Sequence, residues 1–455
     1  MFDDPVFASF ATKRPIAVLS QLALSRLLES SVVDELFLEH AEEQYQRKLS
    51  FSSLTKLMSM VVMSKAASVN AGYKKLKDEL GVSLNAVYNK LDRVEVGISQ
   101  ALVRHSYAQV SAIRKSLGGN QHNCLPGYRT RIFDGNHIGK TEHRLKETRS
   151  NSAAPLPGKS LVVLDPRYEA IVDFFGIEDG HAQERSALDP LLETVRKGDL
   201  WIGDRNFCTI KPIVQIDRRH AAFIIRHHQK LVGVKLSTRR KIGASDTGTI
   251  YERKMTISID RKGTLMELRR VEVDLFQPTR DGDSTVAILT NLSPQDADAV
   301  KVAELYRTRW KIETAFQTLT TTLNCEINTL CYPKAALLVF ALALVAYNSL
   351  AVVRATIARA RGREFAAQMS HYYMALEIAE TTDGMLIAIP LPQWINAAKV
   401  EMPKFTSQML KIAEAIDLDL YKKSKRGPKK KPTKRKFEKN KVHVSTAKIL
   451  ALRKQ

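Results

Sequence analysis

The first 125 residues alternate apolar and polar positions at the spacing of amphipathic helices. Leu54, Leu57, Met58 and Val61 show this pattern, and glycine is infrequent in the segment. Apolar residues three and four positions apart lie on one side of an α-helix. The pattern therefore predicts an all-α domain over residues 1–125.

Residues 68–95 resemble a helix-turn-helix. We expect a first helix from about Val69 to Leu80, a left-handed turn at Gly81 and a second helix capped by Ser83. Leu84, Val87 and Leu91 would face inward. The residue types that would face outward suit contacts with base edges and phosphates. They are Asn85, Tyr88, Asn89, Lys90 and Arg93. A plain helical hairpin with a charged outer face is the alternative.

From about Arg129 the pattern changes to short apolar runs separated by turns, which predicts an α/β domain. The strand candidates are Arg131–Phe133, Ser160–Leu164, Ala170–Gly176, Leu200–Gly203 and Ala222–Ile225, with a helix over Glu184–Arg196. Three further runs precede a helix that begins near Asp296: Thr249–Ile259, Leu265–Leu275 and Thr285–Leu289. A structureless loop of this length is uncommon in a compact domain, so residues 229–296 are predicted to be rich in strands.

The most apolar run is Ala335–Ala346. A membrane-spanning helix needs about 20 apolar residues, so a buried helix is the expected structure. Residues 361–420 are predicted to form a helical C-terminal region and residues 421–455 a basic tail. Met1–Ser9 lacks the apolar segment of a signal peptide, and the four cysteines have no zinc or disulfide spacing, which fits a reducing cytoplasm.

The chain is strongly basic. It has 70 Lys and Arg against 48 Asp and Glu, a net charge of +22 and a pI near 9.7. About half of this excess lies in Lys422–Lys441, where twelve Lys or Arg accompany one Glu. Such a tail favours contact with DNA phosphates, for instance through Lys429, Lys430 and Lys431. A disordered solubilising tail has the same composition.

Three acidic residues stand out as candidates for chemistry. Asp134 and Asp204 each follow a predicted strand, where either one alone could simply cap a turn. Glu313 lies in ELYRTRWKIETAFQTL, whose spacing places Tyr306, Arg309 and Glu313 on one face of a helix. Apolar and aromatic neighbours, among them Trp310, indicate a polar site beside a packed core.

The order Asp, Asp, Glu, with the Glu inside Y-x2-R-x3-E, resembles the DDE transposases of the insertion sequence 4 family. The resemblance covers roughly residues 20–430. The family's signature helix continues with a Lys seven residues after the Glu, and this chain has Thr320 there. Because that Lys is thought to hold a DNA phosphate, one strand contact is in doubt while the three acids are intact. Lys311 and Lys334 are candidate substitutes.

The resemblance implies an RNase H-like core over residues 126–228 and 297–360, interrupted by a β-rich insertion over residues 229–296. It also implies that Asp134 bridges two metal ions and that Asp204 and Glu313 each bind one of them. Two Mg²⁺ ions about 4 Å apart can activate a nucleophile and stabilise the leaving oxygen, and Mn²⁺ is a usual substitute. We expect the mutual repulsion of the three acids to be relieved only when metal binds.

Further expectations follow from the same resemblance. Arg309, Tyr306 and, more weakly, Arg205 would bind phosphates of the DNA strand. The protein would bind the terminal inverted repeats of its own element as a dimer, cleave the ends and join them to target DNA, in the bacterial cytoplasm at the nucleoid. The alternatives are a catalytically decayed or co-opted DNA-binding protein, for which Thr320 is the hint, and an RNase H-like nuclease that does not join strands.

Overall fold

The computed structural model describes residues 1–424 except residues 3, 45, 119–122, 139–157, 181, 280–281, 328–329 and 331. Lys429, Lys430 and Lys431, which the sequence analysis assigned to DNA contact, lie outside the described residues.

The N-terminal part is helical, as the apolar spacing predicted. Its helices are α1 (Pro5–Lys13), α2 (Pro15–Leu27), α3 (Ser30–His40), α4 (Phe51–Val62), α5 (Val69–Leu80), α6 (Leu84–Leu91) and α7 (Val96–Leu117). Ser50, Ser68 and Ser83 start α4, α5 and α6, because each hydroxyl oxygen accepts a hydrogen bond from the backbone N–H three residues later.

The α5–α6 pair confirms the predicted helix bounds and the turn at Gly81, whose φ is +60°. The predicted outward face is only partly correct. The Lys90 Nζ donates to the Leu49 carbonyl at 3.0 Å and lies 4.5 Å from the centre of the Phe37 ring, so Lys90 points into the protein. Helical periodicity predicts the direction in which a side chain points. It does not show that α3 covers that side of α6.

Of the other residues predicted to face outward, Tyr88 is half-buried against the helical core. Asn85, Asn89 and Arg93 are exposed. Asn85 and Asn89 on α6 and Arg93 directly after it therefore form the accessible face that the sequence analysis sought.

Ten strands among the described residues form one mixed sheet. They are β1 (Arg129–Ile138), β2 (Gly158–Asp165), β3 (Ala170–Ile177), β4 (Asp199–Gly203), β5 (Ala222–Arg226), β6 (Lys235–Leu236), β7 (Arg240–Ser245), β8 (Gly248–Ser258), β9 (Leu265–Leu275) and β10 (Thr285–Thr290). The order across the sheet is β3-β2-β1-β4-β5-β10-β9-β8-β6, and β7 pairs with β8.

Strand direction changes within this order. The first three strands are antiparallel, and β4 and β5 then run parallel to β1. Helix α9 (Ile210–Arg218) connects β4 to β5, as a parallel pair requires. The carboxyl ends of β1, β4 and β5 therefore meet at one edge of the sheet.

The strand-rich segment predicted for residues 229–296 is present, but it does not form a sheet of its own. β10 pairs with β5 in antiparallel orientation, and the long β8–β9 hairpin extends the same sheet beyond it. Alternating apolar positions predicted these strands. Such a pattern does not specify which neighbouring strand each of them pairs with.

The helix predicted over Glu184–Arg196 is wrong in extent. A 3₁₀ turn covers Glu184–Ala187, and helix α8 then covers only Leu188–Glu193. Pro190 has no N–H to donate to the carbonyl four residues earlier, so one continuous α-helix cannot form here.

The remaining helices are α10 (Ala299–Arg307), α11 (Trp310–Thr322), α12 (Pro333–Arg361), α13 (Arg363–Gln368), α14 (His371–Ala388), α15 (Leu391–Lys399) and α16 (Met402–Glu414). Every residue from 335 to 353 is buried, which confirms the predicted buried helix within α12. Two described segments, Pro15–His40 and Pro333–Arg361, have the length and apolar composition of membrane spans. Their most apolar windows are 67% and 100% buried inside the protein.

The sheet separates two apolar cores. The larger core contains α12 and the N-terminal helices, and the smaller one packs Trp201, Phe207 and Phe223 on the opposite face. The C-terminal helices close the larger core. Buried Glu377 on α14 accepts hydrogen bonds from the Ala17 N–H at 2.9 Å and from the Tyr421 hydroxyl.

Candidate active site

Asp134 and Asp204 lie on neighbouring strands at the same height. Phe133 pairs with Gly203 across the parallel β1–β4 ladder, so the next residues are Asp134, within β1, and Asp204, directly after β4. The prediction that Asp134 follows the end of its strand is wrong, because β1 continues to Ile138 in its pairing with β2. The Asp134 Oδ1 accepts a hydrogen bond from the Gly135 N–H at 2.9 Å. The register confirms that the sheet brings Asp134 and Asp204 side by side.

The helix predicted to carry Tyr306, Arg309 and Glu313 is two helices. Tyr306 lies in the last turn of α10, Glu313 lies in the first turn of α11, and Arg309 stands between the two helices. The Thr308 hydroxyl donates to the Leu305 carbonyl at 2.6 Å, a local bond that bends helices. Spacing alone did not reveal this break.

The Arg309 guanidinium links two of the three acids. It is only 7% exposed. Its Nη1 donates to Asp134 Oδ2 at 3.1 Å, and its Nη2 lies 2.7 Å from Glu313 Oε1. Burial alone would lower the pKa of Arg309, but Tyr306 and the surrounding acids, Asp204 among them, raise it, so the group stays cationic.

The pKa of Asp134 is raised from 3.8 to about 7. Burial is the largest cause, and the negative charges of Asp204 and Glu184 add to it. Arg309 and the Gly135 N–H oppose the shift but do not cancel it. Near neutral pH, Asp134 therefore holds a proton for about half of the time.

The expectation that only metal relieves the repulsion between the acids is wrong, because Arg309 already places a positive charge between Asp134 and Glu313. Among the described residues, no three acidic, His or Cys side chains converge to hold a metal ion. The guanidinium shows that this site accommodates a cation. The hard carboxylate oxygens are also the ligands that Mg²⁺ prefers, so the residues present fit a divalent ion.

Tyr306 adds a hydrogen-bond donor to the site. Its hydroxyl and the Arg309 Nε are buried without a hydrogen-bond partner among the described residues. Burial raises the pKa of Tyr306 to about 12, so the hydroxyl keeps its proton. Both groups can donate to a phosphate oxygen, and the phosphate contacts assigned to them stay predictions.

The apolar surroundings predicted for Glu313 are only partly present. Ile312 and Leu319 are buried, but Trp310 is 62% exposed, so its assignment to the packed core is wrong. Arg205 is exposed directly after Asp204, and its phosphate contact stays a prediction.

Thr320 lies exposed on α11, and its hydroxyl donates to the Phe316 and Gln317 carbonyls. Neither Lys311 nor Lys334 occupies the position that the missing Lys would have on α11. Lys311 is held by the Pro166 carbonyl and by Glu169, at 3.0 and 3.3 Å. Lys334 lies in a groove beside α6.

Glu184 is a fourth acid near the site, and the sequence analysis missed it. Its Oε2 accepts a hydrogen bond from the Asn206 Nδ2 at 2.8 Å, and its Oε1 lies 3.4 Å from the His137 Nε2. It stands at the start of a 3₁₀ turn, far along the chain from these partners. No spacing in the sequence signals such a contact.

Comparisons with known proteins identify a family for the part of the chain that contains this site. The family model described as a transposase DDE domain matches residues 125–349, a range that contains the three acids, Tyr306, Arg309 and Glu184. DDE transposase domains use divalent metal ions. No curated protein matches the chain.

One similar solved structure is the cryo-EM structure of the piggyBac transposase synaptic complex with hairpin DNA. It covers 83% of this chain and 84% of that chain at 10% identity, with a TM-score of 0.40, which is too low to establish a common fold. The assignment therefore depends on the family match: residues 125–349 match a transposase DDE domain, which supports a DDE transposase enzyme that acts on DNA.

Proposed function

We propose that this enzyme is a cut-and-paste transposase of the insertion sequence 4 type. It binds the terminal inverted repeats of its own element, cleaves the DNA at the ends and joins the 3′-hydroxyls to target DNA. One observation carries the proposal. Asp134 on β1 and Asp204 directly after β4 lie side by side on neighbouring parallel strands, and Arg309 holds Glu313 beside them, all within the matched domain.

The sheet supports an RNase H-like core. Its first five strands lie in the order β3-β2-β1-β4-β5, with β2 and β3 antiparallel and β4 and β5 parallel to β1. This arrangement supports the RNase H-like core that the family resemblance implies. β6–β10 then correspond to the insertion between the second Asp and the Glu.

We assign Asp134, Asp204 and Glu313 as ligands of two Mg²⁺ ions, with Asp134 shared between them and Mn²⁺ as a substitute. Bound Mg²⁺ supplies an activated nucleophile and charge stabilisation at the phosphorus. Arg309 can turn to a DNA phosphate once its carboxylate partners have taken up metal. Tyr306 donates its hydroxyl to a neighbouring phosphate and so helps to position the strand.

Metal binding should depend on pH through Asp134. Its folded-state pKa of about 7 lies above its ordinary 3.8, so between these values the folded protein binds more protons than the unfolded chain. The free energy of unfolding of the metal-free protein should therefore fall as pH rises through this window. Because metal displaces the proton, apparent Mn²⁺ affinity should rise about tenfold per pH unit up to about pH 7 and then level off.

Calorimetric titration with Mn²⁺ at pH 6, 7 and 8 tests this prediction. Asp134→Asn, which cannot release a proton, should bind weakly at every pH. If Mn²⁺ affinity depended on pH in this variant as it does in wild type, the assignment of Asp134 as the titrating metal ligand would be contradicted.

A basic groove beside α6 supports double-stranded DNA as partner. The cavity is about 1030 Å³ in volume. Its cationic lining residues are Arg47, Lys48, Arg93, Lys334 and Lys90, whose ammonium is bound to the Leu49 carbonyl, and its acidic lining residues are Glu43, Asp92 and Glu178. Asn89 also lines it and offers an amide that can pair with an adenine edge. We propose that this groove binds the inverted repeat.

Replacing Asn85, Asn89 and Arg93 together by alanine should remove sequence-specific binding. Each base contact is worth about 1–3 kcal/mol, so affinity for the element's ends should fall at least about 100-fold while binding to unrelated DNA falls much less. Arg218→Ala, an exposed arginine at the end of α9, is the matched control. Equal losses on specific and unrelated DNA would contradict base reading by α6.

Other parts of the proposal follow from the resemblance and from composition. Joining two ends requires paired ends, so the active species on DNA is a homodimer. The tail, with Lys429, Lys430 and Lys431, adds contact with phosphates that does not depend on sequence. The enzyme acts in the bacterial cytoplasm, at the nucleoid.

A strand-transfer assay with pre-cleaved repeat ends and a supercoiled plasmid tests the proposed reaction. The proposal expects plasmid-joined product that depends on Mg²⁺. Cleavage without joined product would favour an RNase H-like nuclease. Binding without either reaction would favour a decayed or co-opted DNA-binding protein, although Thr320 lies away from the linked acids.

A further inference from the structure

Glu184 lies against β1, close to the strand ends that carry Asp134 and Asp204. Its side chain is only 17% exposed. Its negative charge acts on Asp134, although the proposed metal ligands do not include it. Two features of its surroundings indicate a defined role.

The first feature is its contact with Gly135, the residue after Asp134. A Cβ at Gly135 would overlap the carboxylate carbon of Glu184. Gly135 does not have a positive φ, so the backbone conformation there does not require glycine. The Glu184 carboxylate therefore packs directly against the backbone next to Asp134.

The second feature is that one carboxylate binds residues from both strand ends. Asn206, which donates at 2.8 Å, is in the 3₁₀ turn Arg205–Phe207 that follows Asp204. His137, at 3.4 Å, is on β1 three residues after Asp134. Glu184 thus connects the turn after β4 to the end of β1.

We propose that Glu184 is a positioning residue that holds the Asp204 turn against β1 and so sets the separation of the two aspartates for divalent metal. This inference rests on the proposed metal-dependent function. Residues that hydrogen-bond the segments carrying metal ligands fix ligand orientation, and their loss typically weakens metal binding by about 10–100-fold. Glu184 acts here through Asn206 and His137 and does not itself touch the DNA.

Mn²⁺ binding to the DNA-free full-length protein tests the proposal without requiring catalysis. Glu184→Ala and Asn206→Ala should each weaken Mn²⁺ binding about 10–100-fold. The double variant should bind Mn²⁺ no more weakly than the weaker-binding single variant, because both substitutions remove the same hydrogen bond. Glu184→Gln keeps an oxygen that accepts from Asn206 and should recover most of the affinity.

Glu193→Gln is the matched control, since Glu193 is an exposed glutamate at the end of α8. Thermal unfolding without metal should give the same midpoint for wild type, Glu184→Gln and this control. The proposal would be overturned if Glu184→Ala bound Mn²⁺ as tightly as wild type. It would also be overturned if the losses of Mn²⁺ affinity in the two single variants added up in the double variant. If wild type binds Mn²⁺ but never cuts DNA, the proposed function fails while the Glu184 result still stands.

Discussion

Asp134→Ala should abolish metal-dependent strand cleavage, with a loss of about 10⁴-fold or more. Losses of this size occur when one member of a catalytic unit is removed. Asp134 meets Asp204 at the sheet edge and is bound to Glu313 through Arg309, so its removal disrupts the whole set. The measurement is gel-resolved cleavage of end-labelled DNA that carries the element's inverted repeats.

Binding of the repeats should survive, because the groove beside α6 does not include Asp134. Asp189→Asn is the control, since Asp189 is a surface residue of α8 whose side chain is 63% exposed. It should cleave like wild type. Wild-type cleavage by Asp134→Ala would exclude the assigned acid set as the catalytic centre.

Arg309→Ala should destabilise the metal-free protein strongly. Removing one partner from a buried ion pair typically costs about 3–5 kcal/mol, because the remaining charges lose their compensation. Here Asp134 and Glu313 would be left facing each other without the guanidinium. Chemical denaturation with and without Mn²⁺ measures the effect. The divalent ion should restore much of the lost stability but not cleavage, because the phosphate contact is also gone.

Arg307→Ala is the matched control for this variant. Arg307 is two residues earlier, and its side chain is 49% exposed and pairs with Asp246 at 3.2 Å. Exposed pairs contribute only about 0–1 kcal/mol. Arg309→Lys should be intermediate, since a point charge cannot span two carboxylates as the planar guanidinium does. Equal stability of Arg309→Ala and Arg307→Ala would contradict the linking role of Arg309.

Local signals predicted much of the fold. Gly81 and the Ser83 cap gave the end of α5 and the start of α6, and the strand-like run gave β9 over Leu265–Leu275 as observed. Asp134 and Asp204 could be placed side by side because both follow apolar runs that pair as neighbouring parallel strands, although β1 continues past Asp134 to Ile138. Each of these inferences depends on only a few consecutive residues, so the sequence alone was enough to predict these elements.

Features that depend on distant contacts could not be predicted. The break at Thr308 comes from a side-chain hydrogen bond within a segment of helical spacing. Lys90 points inward because α3 covers it, and Trp310 remains exposed because no element packs over it among the described residues. Glu184 meets its partners only after β1 and β4 have paired.

The pairing of Arg309 with acids was missed for a related reason. The resemblance assigned this residue to DNA phosphate, and the spacing showed only that it shares a helical face with Glu313. The structure without DNA shows the guanidinium bound to Asp134 and Glu313 instead.

The most direct test of the account is Mg²⁺-dependent cleavage of a linear DNA carrying the flanking inverted repeats, with wild type and Glu313→Gln compared and binding followed by gel shift. The account expects both proteins to shift the DNA and only wild type to cleave it. If wild type binds the repeats but cleaves them with neither Mg²⁺ nor Mn²⁺, the metal-dependent transposase account is contradicted.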